Sequence, residues 1–303
     1  MNEIETLFPP CGTGYVVALR AYLDASIRES GVISVAGFAF GLKNAKKANN
    51  AWHKLFGNKI CHMTDLHHNH GDFAGLSKEV THDLCHKAFD ILRKYSSYSV
   101  ATSFNINEVE EHLPKQSSEI LTCQKTMRGY ENPYSICCHF TMHKLGRMVA
   151  ANKNSKISYV FESGDHGQNA LREYGSYVMN DNSRLSDIYR SDQITFADKK
   201  GRQLLLQSAD ILAWESALNI DRRKNGIGMR PSLRSLFGEK IYEEQHRFGF
   251  AYTNRKKNVW VHHLEGENLK SMMQFYQKLF RTENSHDLNA LKSDFEKFFS
   301  TPF

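Results

Sequence analysis

The stretch Gln203–Ala217, QLLLQSADILAWESA, constrains the chain more than any other. Leu204, Leu205, Leu206, Ile211, Leu212 and Trp214 leave a helix here with almost no solvated face, so it must be packed on most of its circumference. Asp210 stands in the middle of it. A carboxylate in apolar surroundings has to be paired, hydrogen-bonded or metal-bound, or it gives up its charge. Gln207, Asp210 and Trp214 fall at helical spacing on one stripe, which sets a second polar group beside the acid. Taken alone, the helix favours a buried Asp satisfied by a structural partner. A functional role requires other carboxylates to converge on it.

The rest of the chain alternates strands with helices. Strands are predicted at 15–24 and 32–40, joined by a turn at Ser30-Gly31 into a hairpin. A helix follows at 44–56, then a polar, glycine-broken loop at 61–75. An amphipathic helix at 77–95 has Ser77 as its N-cap, and a strand follows at 98–105. Helices are predicted at 107–113, about 117–128, 134–151 and 168–179. The apolar strand 157–161 is of the kind buried within a sheet, and a further strand covers 193–197. This order predicts an α/β fold, a mixed sheet flanked by helices, over residues 15–220. From residue 221 the texture turns basic and loop-like (DRRKNGIGMRPSLR). Helices at 235–245, 268–281 and 287–299 and a strand at 259–263 then predict a mostly helical C-terminal appendage, 221–303, packed on the main domain.

At 303 residues and 41% hydrophobic, the chain can bury a core of this size. It has no run of about 18 apolar residues, so no membrane span is expected. The start, MNEIETLFPP, has neither the basic beginning nor the apolar run of a secretory signal. Six cysteines without CxxC spacing read as reduced thiols, and a cytoplasmic location is expected. The net charge of +6 permits a polyanionic partner.

Three acids occupy positions that can meet. Asp24 ends the first predicted strand, Glu162 ends the apolar strand ISYVF, and Asp210 lies on the buried helix. Acids at strand ends sit where α/β folds place their ligands. Three carboxylates in one cleft repel one another unless a cation joins them, and hard ions such as Mg²⁺ or Mn²⁺ suit an all-oxygen site. One or two such ions would serve phosphodiester hydrolysis. Each acid also has an ordinary reading. Asp24 can start a turn, Glu162 or Asp165 can cap the helix near Gln168, and Asp198 can sit in a turn.

The loop carries His62, Asp65, His67, His68 and His70. Imidazole and carboxylate together suit zinc, which makes a zinc hydrolase one reading of the chain. In another, His62 and Asp65 reach the acidic cleft as proton shuttle or outer ligand while the remaining histidines are solvated. Basic runs at Lys199/Lys200/Arg202 and Arg222/Arg223/Lys224 flank the Asp210 helix, where a phosphate backbone would need positive charge. Nucleophile-elbow, P-loop and dinucleotide signatures are missing.

The motifs YLDAS (22–26) with VAGFAFG (35–41), HMTDL (62–66), YVFESGD (159–165) and FADKKGRQLLLQSADILAWES (196–216) resemble, in order and spacing, the family termed domain of unknown function 3800. Its members are similar to the ribonuclease H fold. The resemblance implies an RNase H-like domain in which Asp24, Glu162 and Asp210 bind metal and Gln207 supports the last of them. It also implies a metal-dependent nuclease, with RNA or an RNA-containing duplex favoured by fold analogy. Two departures stand out. The family's D-E-S is D-A-S here, so Ala25 brings no second acid, and Glu162 stands where relatives carry Asp. The first departure motivates a different reading: a nucleic-acid- or protein-binding module with a weak or lost active site, in mobile-element or phage defence.

Overall fold

All nine residues of Val32–Phe40 are buried, which requires a strand covered on both faces. The computed structural model describes residues 17–112, 132–150, 156–164, 168–172, 189–191, 193–199, 204–238, 241–246, 249–254, 258–266, 269, 270 and 273. Within it, Val32–Phe40 is β2 of one mixed sheet. The other strands are β1 (Val17–Ile27), β3 (Tyr98–Asn105), β4 (Lys156–Glu162), β5 (Gln193–Ala197), β6 (Tyr242–His246), β7 (Gly249–Asn254) and β8 (Val259–Leu264). Their spatial order is β5-β4-β1-β2-β3-β8-β7-β6. Strands β1, β2 and β3 form an antiparallel meander, with β4 parallel to β1 and β5 parallel to β4 on its far side.

Helix α5 (Pro133–Ala150) covers one face, packing Ile136, Phe140 and Leu145 against Leu23, Val35 and Phe161. The other face is covered by α1 (Leu42–Phe56), α2 (Met63–His68), α3 (Lys78–Tyr95), α6 (Leu204–Lys224) and α7 (Pro231–Phe237). A further helix, α4 (Ile106–His112), follows β3. Helix α1 buries Ala45, Ala48, Trp52 and Phe56, the stripe an amphipathic helix turns to its core. Helix α3 starts where the Ser77 hydroxyl accepts from the Val80 amide at 3.3 Å, as its sequence predicts. Helix α6 is buried without a break from Leu205 to Ala217 and lies across β1 and β2. Close approach is built in at Gly37 of β2, where a Cβ would lie 1.9 Å from the Tyr22 carbonyl oxygen.

The structure departs from the sequence expectations in four places. Strand β1 continues to Ile27, so Asp24 lies inside it, opposite Ala36, rather than at its end. The expected 61–75 loop contains α2 and a single 3₁₀ turn at Gly71–Phe73. Met63, Leu66 and Phe73 are buried there, an anchoring that a polar local sequence conceals. The expected helix at 235–245 is instead α7 followed by β6. Glu243, Glu244 and Gln245 are good helix formers, and pairing with β7 overrides that preference. Helix α6 runs through residue 221, and β8 pairs in parallel with β3, so the described part of 221–303 extends the sheet with three strands. The helices expected at 117–128 and 287–299 lie outside the described residues, as do 173–179 and most of 268–281. Among the described residues, no helix is long and apolar enough to cross a membrane.

Candidate active site

Strand register brings the acids together. In the parallel pair β1–β4, Tyr22 stands beside Val160 and Leu23 beside Phe161. One step further sets Asp24 next to Glu162. Side chains alternate along a strand, so both acids share the face of Tyr22 and Val160, which is the face under α6. In the next pair, Glu162 stands beside Ala197 at the end of β5. Lys199 follows two residues later, in the turn that leaves the strand. Helix α6 closes the group from above with Asp210.

The Lys199 ammonium is the point on which the three carboxylates converge. Its Nζ lies 2.6 Å from Asp24 Oδ2, 2.5 Å from Glu162 Oε2 and 3.5 Å from Asp210 Oδ1. The Asp24 side chain is 1% exposed, that of Lys199 5% and that of Asp210 8%, whereas Glu162 at 23% is the member open to solvent. Burial alone would pull the lysine pKa down. Asp210, Asp24 and Glu162 outweigh it and hold Lys199 charged well above the ordinary lysine range. Three carboxylates facing one ammonium give these four groups a formal excess of two negative charges.

Neighbouring polar groups fix the frame. Asp24 Oδ1 accepts from the Ala25 amide at 2.8 Å. Asp210 Oδ2 accepts from the Met63 amide at 2.5 Å, which satisfies a free N–H at the start of α2. The His62 cap position has no side-chain bond to do this locally. One turn earlier on α6, Gln207 Oε1 accepts from the Cys61 amide at 3.0 Å and from Trp52 Nε1 at 3.2 Å. Its Nε2 donates to the Lys199 carbonyl at 3.2 Å. Gln207 thus supports the centre by anchoring the Lys199 backbone and the entry to α2, while Asp210 serves both the ammonium and a helix terminus. Cys61, though close, is no nucleophile: burial first, then Asp210 and Cys85, push its thiol pKa well up.

The remaining predicted residues lie elsewhere. His62 and Asp65 are half-buried at the start of α2 and form no hydrogen bond or ion pair with the three acids. The Asp65 carboxylate packs instead against Gly71, where a Cβ would meet Oδ2 at 3.1 Å. The His67 ring lies 4.5 Å from that of Trp214, and His68 and His70 are exposed. Lys199, expected on a phosphate-binding surface, is turned inward. Arg222 donates to the Gly228 carbonyl, and Arg223 pairs with Glu243 and the Tyr252 hydroxyl. Lys224 is exposed. Arg222 starts the last turn of α6, about 18 Å along the axis from Asp210. Asp165, Lys200 and Arg202 lie outside the described residues. The role of Lys199 has no local signature, since nothing in DKKG separates it from Lys200.

Among the described residues, no three His, Cys, Asp or Glu side chains stand ready to share a metal ion. At the carboxylate centre, Lys199 Nζ takes the shared point. The donor chemistry there still fits a hard divalent cation, because every donor is a carboxylate oxygen and the group carries excess negative charge. Such an ion would enter in exchange for the ammonium. No family model matches the chain, and neither a curated protein nor a solved structure matches it.

Proposed function

We propose that the protein is a metal-dependent hydrolase of nucleic-acid phosphodiester bonds, acting on RNA or an RNA-containing duplex. Asp24, Glu162 and Asp210 would hold one or two Mg²⁺ or Mn²⁺ ions. The observation that carries this reading is the convergence of three carboxylates from β1, β4 and α6 on a single cationic point. An RNase H-like assignment of the fold is supported by the five strands β1–β5. Three are antiparallel and two join in parallel beyond β1, with one acid on β1 and another at the end of β4. The bound ion supplies Lewis-acid activation of water and charge neutralisation at phosphorus. With an ion held by the acids, Lys199 would be available to donate to a phosphate oxygen. Glu162, the least buried of the three, would face the incoming substrate, while Asp210 and Gln207 keep the centre rigid from α6.

The test is cleavage of RNA, an RNA–DNA hybrid and DNA with Mn²⁺, comparing wild type with Asp24→Asn and Asp210→Asn. Loss of cleavage in both variants is expected. Full metal-dependent cleavage by either one overturns the assignment. A second reading is favoured by Lys199 at the centre and by Ala25 in place of an acid. In it the ion pairs are purely structural, and the protein is a nucleic-acid- or protein-binding module with a lost active site. Calorimetry separates the two, because that module would bind no Mn²⁺ and keep its affinity for nucleic acid.

A further inference from the structure

Helix α2 and the first two turns of α3 enclose a cleft of about 400 Å³, the size of a small-ligand site. Its floor includes the apolar side chains of Met63 and Leu66, and its walls carry Lys78, His68, His82 and Arg230. None of the described lining residues is acidic. Arg230 is held in place from outside the cleft. Its guanidinium lies 5.4 Å from the Trp214 ring, and its Nη1 lies 3.4 Å from the buried Glu215 carboxylate. That nitrogen is itself buried and makes no hydrogen bond. The Glu215 oxygen it faces already accepts from the Ser232 hydroxyl at 2.9 Å. The cleft thus sets the Lys78 ammonium, the Arg230 guanidinium and the His68 imidazole around an apolar base.

We propose that this cleft binds a phosphate-bearing anion of about nucleotide size, with its phosphate among Lys78, His68 and Arg230 and its apolar part over Met63 and Leu66. Two cations, Lys78 and Arg230, around one space favour a multiply charged, many-oxygen anion over a single carboxylate, and a fixed guanidinium suits phosphate geometry. The electrostatics of His67 agree. Burial, then Arg230, His68, Arg28 and Lys78, lower its pKa to about 4, so several cations act on one imidazole in a field that an anion would relieve. The site is separate from the carboxylate centre, whose three acids are not in its lining. It stands even if no metal binds there.

The experiment is calorimetry on the full chain in EDTA, which removes any metal-dependent binding and cleavage. The probes are inorganic phosphate, AMP and a tetraribonucleotide with either a 5′-phosphate or a 5′-hydroxyl. Lys78 and His68 are both exposed, so Lys78→Gln and His68→Gln leave the fold intact, which a melting curve checks. Binding of AMP or of the 5′-phosphorylated oligonucleotide is expected, weakened about tenfold in each variant, the loss of roughly one charge-assisted contact. Lys43→Gln on α1 should bind as wild type does. Equal binding of AMP and phosphorylated oligonucleotide assigns the site to a free nucleotide. Tighter binding of the phosphorylated oligonucleotide assigns it to a chain terminus. Both support the proposal. Absence of binding by every probe overturns it, as does affinity unchanged in the Lys78→Gln/His68→Gln double variant.

Discussion

Replacing Lys199 with Met removes the ammonium and leaves Asp24, Glu162 and Asp210 facing an apolar side chain of similar length. The side chains of Asp24 and Asp210 are 1% and 8% exposed, so water screens them poorly. Breaking a buried ion pair by deleting one partner costs about 3–5 kcal/mol, a large share of the roughly 5–15 kcal/mol that holds a typical fold together. Urea denaturation followed by tryptophan fluorescence at pH 7.5 in EDTA should show that deficit. Two conditions should reduce it. Like-charge repulsion raises a carboxylate pKa in the folded variant above its unfolded value, so the folded form binds more protons and the variant regains stability as pH falls toward the carboxylate range. If the acids take up Mn²⁺, the ion at a hundred times its Kd restores about 3 kcal/mol. Wild type should gain less, because its ammonium must first leave. A Lys199→Met protein as stable as wild type at pH 7.5 in EDTA would refute the ion-pair centre. A destabilised variant that Mn²⁺ does not rescue would refute the metal reading and leave the centre standing.

Gln207→Ala strips the acceptor from the Cys61 amide and Trp52 Nε1, and should cost about 1–3 kcal/mol with faster amide exchange at 61–63. Gly37→Ala drives a Cβ into the Tyr22 carbonyl and should cost about 3 kcal/mol or more in urea denaturation, with β1–β2 pairing disturbed. Acid should unfold the protein partly through His139, whose pKa burial lowers to about 3. Its folded value lies below the unfolded one, so this stability is complete above about pH 6.5 and drains as pH falls toward 3, amounting to about 3 kcal/mol at pH 4.5. A stability–pH curve that is flat from 6.5 to 4.5, or unaltered by His139→Gln, would count against it.

Local pattern carried much of the fold. Val32–Phe40, Tyr98–Asn105 and Gln193–Ala197 are strands over the spans their sequences predict, because apolar, β-branched and aromatic runs bounded by turn residues have few other uses. Helix α6 was readable for the same reason, since a segment apolar on nearly every side can only be interior. Its neighbours were harder to read. Helix α2 donates its first amide, that of Met63, to Asp210, 147 positions away, so no local cap announces it. Strand β8 lies where its sequence predicts a strand, whereas the polar residues of β6 read as the end of a 235–245 helix until the edge of β7 is present to pair with.

The acids show the same division. Sequence alone determined that Asp210 had to find a partner, because an unpaired charge cannot remain in an apolar helix, and it identified Asp24 and Glu162 as acids able to join it. Only the tertiary structure decided what stands among them. The parallel register of β1, β4 and β5 sets Asp24, Glu162 and Lys199 side by side, and α6 lowers Asp210 onto the same nitrogen. That Lys199 reaches them depends on its side chain leaving the end of β5 toward α6, a matter of backbone direction that residue type does not encode.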